Sequence, residues 1–269
     1  MNKVLIIISL ICHLQAIMAT GTSKSTSILN FNKDHYGGAN KNWSIAYGHN
    51  GYTYFGNSIG LIEFDGVSWH LNPSPNGFAV RAIAIDQNNR IYTGGYQELG
   101  YWERNNQGKL TYTSLTKMVE DHFPKNEEFW HISIMGDKVF FQSFSGIYIY
   151  EKGEFEVVKA NGFITTSNKV NGQFLIAKKF HGIYEVSNDQ LKPYIESDFF
   201  SNKSINFIEQ LTENQILLGT QDHGMFLYNQ ENQSLAPWAQ EQKNWFIKNK
   251  INKGLISSEK KIITGSILG

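Results

Sequence analysis

Apolar residues along this chain come in short runs broken by polar turns, not at the three- and four-residue spacing of helices. "IAYGHNGYTYFG", "IAIDQNNRIYTGG", "ISIMGDKVFFQS", "TSNKVNGQFLIAK", "IEQLTENQILLGT" and "KGLISSEKKIITG" each read as strand, polar turn, strand. The turns carry Asn, Asp, Gly or Ser, which accept positive φ or bond their own backbone in tight hairpins. The second strands ("VFFQ", "FLIA", "ILLG", "IITG") are apolar throughout, the pattern of a strand covered on both faces.

A third strand follows each pair and opens on a glycine: "GLIEF" at Gly60, "GYWER" at Gly100, "GIYIY" at Gly146, "GIYEV" at Gly182 and "GMFLY" at Gly224, with Gly269 after "IITGSIL". These glycines recur every 36 to 46 residues. A lone hairpin such as "GLIEFDGVSW" is not stable in water, so the units must stack. A β repeat of about 40–45 residues predicts an all-β propeller with one four-stranded blade per repeat. The fold expected is partial: five blades and the first strands of a sixth, near residues 42–77, 80–117, 129–161, 163–198, 203–240 and 245–269. The longest interval holds "SLTKMVEDHFPKNEEFW", where Leu115, Met118, Val119 and His122 keep helical spacing until Pro124. It predicts a short inserted helix packed by its apolar side. Within an N-terminal arm over 20–41, "STSILNFN" (Ser25–Asn32) offers a strand to close the ring.

Composition agrees: 269 residues, 14% aromatic, with 24 glycines against 5 prolines. Lys+Arg and Asp+Glu are equal at 24 each, which argues against binding a nucleic-acid backbone. At the N-terminus Lys3, the apolar run Val4–Leu14 and Ala19 read as a secretory signal peptide over 1–19, placing the mature chain in the periplasm from near Thr20. No second apolar run long enough to span a membrane follows. The single cysteine, Cys12, lies inside this leader and follows Ile11, not the small residue a lipoprotein anchor needs. A mature chain without it has no disulfide and no thiolate metal site.

"NWSIAYGHNGYTYFGNSIGLIEFDGVSWHL" and the following "VRAIAIDQNNRIYTGGYQELGYWERNNQGKLTYTSL" resemble the first two blades of the periplasmic regulator-propeller sensors of Bacteroidetes-type bacteria. The resemblance extends from about Ile28 to Gly269 and is most specific over Asn42–Leu115. It implies a two-component regulator propeller, normally followed by a triple-tyrosine domain, a transmembrane helix and a cytoplasmic helix-turn-helix or histidine-kinase output. None of these is in this sequence, so the expectation is the truncated N-terminal part of a sensor, with the downstream domains as missing partners.

Catalytic motifs are weak. Gly56–Gly60 matches G-x-S-x-G around Ser58, but in a strand-to-strand turn, not the strand-to-helix turn that chemistry needs. His181 and His223 share a repeat position without companion ligands, so no metal and no cofactor are expected. The candidates for ligand binding lie on one rim of the ring, in the loops leading into the innermost strands and the second-to-third strand turns. They are Trp43, Arg81, Gln97, Glu98, Trp130, His131, Lys179, His181, Asp222, His223 and Trp245. Aromatic faces beside planar polar groups suit an oligosaccharide or another small nutrient. Recurrence of Trp43, Trp130 and Trp245 at one repeat position favours inter-blade packing instead. The leading reading is a non-enzymatic extracytoplasmic sensor. The alternatives are a polysaccharide hydrolase or lyase, with Glu98 and Asp222 as the carboxylates, and a secreted protein-binding scaffold.

Overall fold

A computed structural model of the chain describes residues 28–195 and 198–268; the proposed signal peptide lies outside the described residues. The chain divides into two units, Met1–Asn32 and Lys33–Gly269. In the first, Ile28–Asn32 form no strand, and the rest of the proposed closing strand lies outside the described residues.

The second unit holds five four-stranded antiparallel sheets and one two-stranded sheet, each in chain order. The first blade comprises β1 (Asn42–Tyr47), β2 (Thr53–Asn57), β3 (Gly60–Phe64) and β4 (Trp69–Pro73). The second comprises β5 (Ala82–Ile85), β6 (Ile91–Gly95), β7 (Glu98–Arg104) and β8 (Leu110–Ser114). The third is β9 (Phe129–Met135), β10 (Lys138–Ser143), β11 (Gly146–Glu151) and β12 (Glu154–Lys159). The fourth is β13 (Ile164–Val170), β14 (Gln173–Lys178), β15 (Gly182–Ser187) and β16 (Gln190–Ile195). The fifth is β17 (Ile205–Thr212), β18 (Gln215–Thr220), β19 (Gly224–Asn229) and β20 (Ser234–Trp238), and the sixth is β21 (Ile251–Ile256) with β22 (Ile262–Ser266). First strands of successive blades touch one another, β1 with β5 and so on to β17 with β21, so they lie innermost around a shared axis.

The core is a series of layers between blades. Tyr54, Leu61, Ile91 and Trp102 fill the first gap, and Leu99, Phe129, Phe141 and Tyr148 the second. Phe140, Ile147, Ile164 and Phe174 fill the third, Leu175, Ile208, Leu218 and Phe226 the fourth, and Phe207, Leu217 and Ile251 the fifth. Neighbouring residues of a strand point to opposite faces. Phe140 and Phe141 of β10 therefore enter different gaps, which is why the second strands are apolar throughout. The repeat glycines have an equally local cause. A Cβ at Gly60, Gly100, Gly146 or Gly182 would press on the carbonyl oxygen of Asn72, Thr113, Val158 or Ile195 in the adjoining fourth strand.

Two expectations need correction. The insert after β8 forms two 3-10 turns, Thr116–Met118 and Glu120–His122, in place of an α-helix. Leu115 and Val119 are buried there, but Met118 is exposed. The sixth blade begins at Ile251, not near 245, because Lys243–Asn249 form a helix that buries Phe246 against the fifth blade. The arm ahead of β1 is held by the buried Asn57, whose Nδ2 donates to the carbonyls of Ala39 (2.8 Å) and Lys41 (3.1 Å) while its Oδ1 accepts from the Ala39 amide. A short helix in this arm, Lys33–Tyr36, brings the Tyr36 ring within 5.7 Å of Trp69.

Candidate ligand-binding rim

Antiparallel order puts the loops leading into first strands and the second-to-third turns at the same end of the axis. Six side chains from four blades form an arc there. The Arg81 guanidinium, just before β5, lies between the rings of Trp43 on β1 (4.2 Å) and Trp130 on β9 (4.5 Å). Those rings meet edge-on at 6.0 Å. Trp130 continues to Phe144 at 5.6 Å, Phe144 stacks on Phe163 at 4.4 Å, and the Lys179 ammonium lies 6.0 Å from the Phe163 ring. Arg81 Nη2 donates to Glu128 at 3.1 Å; Arg81 Nε and Nη1 and Trp130 Nε1 have no acceptor among the described residues. Trp43 is 37% exposed and donates from Nε1 to Ser58 Oγ at 3.0 Å. The recurring tryptophans of the first and third blades thus pack between blades and also border the rim.

Nearer the axis, His131 of β9 is bonded through Nδ1 to Ser167 Oγ (2.8 Å), which donates to Gln142 Oε1 (3.1 Å). Burial and then the charge of Lys253 push the imidazole down to about 4, so it is neutral at physiological pH. Lys253, on β21, is exposed to solvent, and the protein packed around it lowers its pKa. A cavity of about 190 Å³ opens here between the fourth, fifth and sixth blades, with Lys179 and Lys253 in its wall.

Other candidates point elsewhere. Gln97 ties the insert to the second blade through Nε2 to the Pro124 carbonyl (3.1 Å). Glu98 accepts from Tyr112 (2.9 Å) and Ser114 (2.6 Å), within its own blade. Asp222 reaches Lys250 at 3.9 Å, His181 is exposed in its turn, and His223 Nδ1 is buried with no partner among the described residues. Trp245 sits on the helix before the sixth blade, against Phe246, and not on an innermost strand. Ser58 occupies the turn between β2 and β3. Among the described residues, no group of three metal-ligating side chains converges.

Sequence reasoning missed Glu128, Phe144, Phe163, Asn252 and Lys253. Phe144 follows β10 and Phe163 precedes β13, and both read as ordinary strand-end aromatics. Their stacking comes from neighbouring blades meeting. Larger concavities, of about 630 and 700 Å³, lie at the opposite end of the axis, among the first-to-second strand turns.

No family model matches the chain, and no curated protein does. Solved structures do. The chain is similar to the extracellular domain of BT4673 of B. thetaiotaomicron, described once as a one component system and once as a hybrid two component system. The first structure gives TM-score 0.62 and 16% identity over 84% of this chain and 30% of that one. The second gives 0.64 and 14%, over 89% and 32%. The fold is a β-propeller. PorZ, a surface component of the type-IX secretion system of Porphyromonas gingivalis, shares it at TM-score 0.66 and 15% identity, over 88% of this chain and 39% of that one. The chain therefore spans about a third of the length of the BT4673 domains. The propeller is the fold expected of the regulator-propeller sensors.

Proposed function

We propose that this propeller is the extracytoplasmic ligand-sensing part of a regulator-propeller sensor that controls transcription, and that it binds a glycan fragment at the rim of Trp43, Arg81, Trp130 and Lys179. The observation that carries this is the unbroken arc of aromatic rings and cations across four blades. Pyranose C–H faces stack on such rings, while guanidinium and ammonium donors bond hydroxyls. The likeness to an extracellular sensor domain supports the setting. A binding role fits better than catalysis because the rim carboxylates are engaged: Glu98 with Tyr112 and Ser114, Glu128 with Arg81, and Asp222 with Lys250. Hydrolysis of a glycosidic bond needs two carboxyl groups facing each other across the cleft.

Calorimetric titration with a panel of oligosaccharides tests the reading. Trp43→Ala should weaken a bound sugar about tenfold or more, with a moderate fall in Tm because the ring also packs against Arg81 and Trp130. Unchanged affinity in that variant would move the site off this rim. Export is tested separately: N-terminal sequencing of the periplasmic protein should begin near Thr20.

A further inference from the structure

The charge of the central cavity says which glycans the rim takes; this inference rests on the glycan reading. Its two titratable wall residues, Lys179 and Lys253, are both cationic. Among the described residues, neither lies within ion-pairing distance of a carboxylate. The nearby carboxylates are committed. Asp222, beside Gln221 in its turn, faces Lys250, and Glu209, on the strand that supplies Asn206, accepts from Asn168 Nδ2 at 3.0 Å.

Neutral wall groups divide in two. Thr165 donates to backbone carbonyls, Ser204 bonds Asn206, and Asn206 donates to the Ile251 carbonyl at 2.9 Å. Gln221 and Asn252 have side-chain amides with no partner among the described residues. The cavity thus offers two unpaired ammonium groups and two open amides, beside the ring of Phe163. Both lysines are exposed to solvent on the wall of one cavity, and neither has a carboxylate partner among the described residues. An anion placed between them meets two positive charges at once and gains charge-assisted hydrogen bonds.

We propose that the glycan recognised here is anionic, and that its carboxylate or sulfate sits between Lys179 and Lys253 with Gln221 and Asn252 bonding the adjoining hydroxyls. Phe163 then stacks on the charged sugar, and the Trp43–Arg81–Trp130 cluster takes the residue next along the chain.

The test uses the 269-residue chain. Trigalacturonate and trimannuronate are titrated beside their methyl esters, which keep the rings and lose the charge. A sulfated galactose trisaccharide, its unsulfated parent and the non-sugar tricarballylate complete the set. An acid or sulfated sugar should bind about tenfold or more tighter than its neutral match. The margin should shrink in high salt and vanish in Lys253→Gln and Lys179→Gln, while Lys109→Gln, in the turn between β7 and β8 at the opposite end, keeps it. Preference for uronates or for the sulfated sugar assigns the anion. Equal binding of charged and neutral sugars overturns this inference and leaves the glycan reading standing. Tricarballylate binding that needs Lys253, with no sugar bound, keeps the anion cavity and overturns the glycan. Binding by no probe overturns both.

Discussion

At one end of the propeller axis Arg90 is joined to Glu103 at 2.9 Å, and Arg104 of the second blade to Glu63 of the first at 2.5 Å. At the other end, Lys179 and Lys253 line an open cavity and Arg81 is held against two indoles. Both ends are made by turns of the same repeat, and the larger concavities belong to the first. Concavity therefore does not separate them; the larger concavities mix Asp86, Glu103 and Asp137 with their Arg and Lys, whereas the rim cavity has Lys179 and Lys253 and no acidic residue in its wall. Where cations and carboxylates alternate, the turns neutralise one another and join the blades. At the rim Arg81 and Lys250 are paired as well, but Lys179 and Lys253 have no carboxylate partner among the described residues, so charge and apolar surface remain there for something outside the chain.

The largest effect should come from Arg81→Ala. Arg81 and Glu128 have side chains only 17% and 20% exposed, so truncation strands a carboxylate and uncovers two indole faces. The expected cost is about 2–3 kcal/mol, or roughly 5–10 °C in Tm, together with loss of sugar binding. Arg81→Lys sharpens the point, because an ammonium keeps the ion pair but cannot stack as a plane. It should recover more than half of the stability and little of the binding. Full recovery of both would show that charge alone matters at this rim.

Between the two ends, Glu209 on β17 has no cationic partner among the described residues, and burial pushes its pKa up to about 7 against the hydrogen bond from Asn168. The folded state holds this proton more tightly than the unfolded chain. Stability from this group is therefore complete below about pH 4.5 and is lost as pH rises through about 7. Glu209→Gln should leave Tm unchanged near pH 4 and raise stability by about 1–2 kcal/mol at pH 8, allowing for solvent screening. Thermal melts across that range check it. A variant that melts lower at pH 8 would show that an ionised Glu209 is held in place by the fold.

Much of the fold was legible in the sequence because its causes are local. Gly60, Gly100, Gly146 and Gly182 sit where a Cβ would strike the adjoining strand, and β10 is apolar because Phe140 and Phe141 fill different gaps. The site was legible only where it shared the repeat register, as at Trp43, Arg81 and Trp130. Glu98 occupied the right turn, but Tyr112 and Ser114 of β8 draw its carboxylate into the blade. Trp245 matched the spacing of an innermost strand, yet Phe246 beside it is buried from a helix, a choice made by tertiary packing. Lys253 reads as an ordinary strand lysine. Its importance comes from its charge reaching His131, three blades away.

The smallest effect should come from Glu103→Gln, at the self-neutralised end. Arg90 and Glu103 are 37% and 44% exposed, in the range where ion pairs contribute between nothing and about 1 kcal/mol. Arg90 also keeps its place over the Tyr101 ring at 4.3 Å, and the new amide can still accept from it. Tm should therefore fall by no more than about 1–2 °C, and sugar affinity should not change. Raising the salt concentration should narrow even that difference, since a surface pair is screened while the partly buried Arg81–Glu128 pair is screened less. If Glu103→Gln matched Arg81→Ala in melting temperature or abolished binding, the two ends would be energetically alike, and the unpaired cations would no longer mark one of them as the binding face.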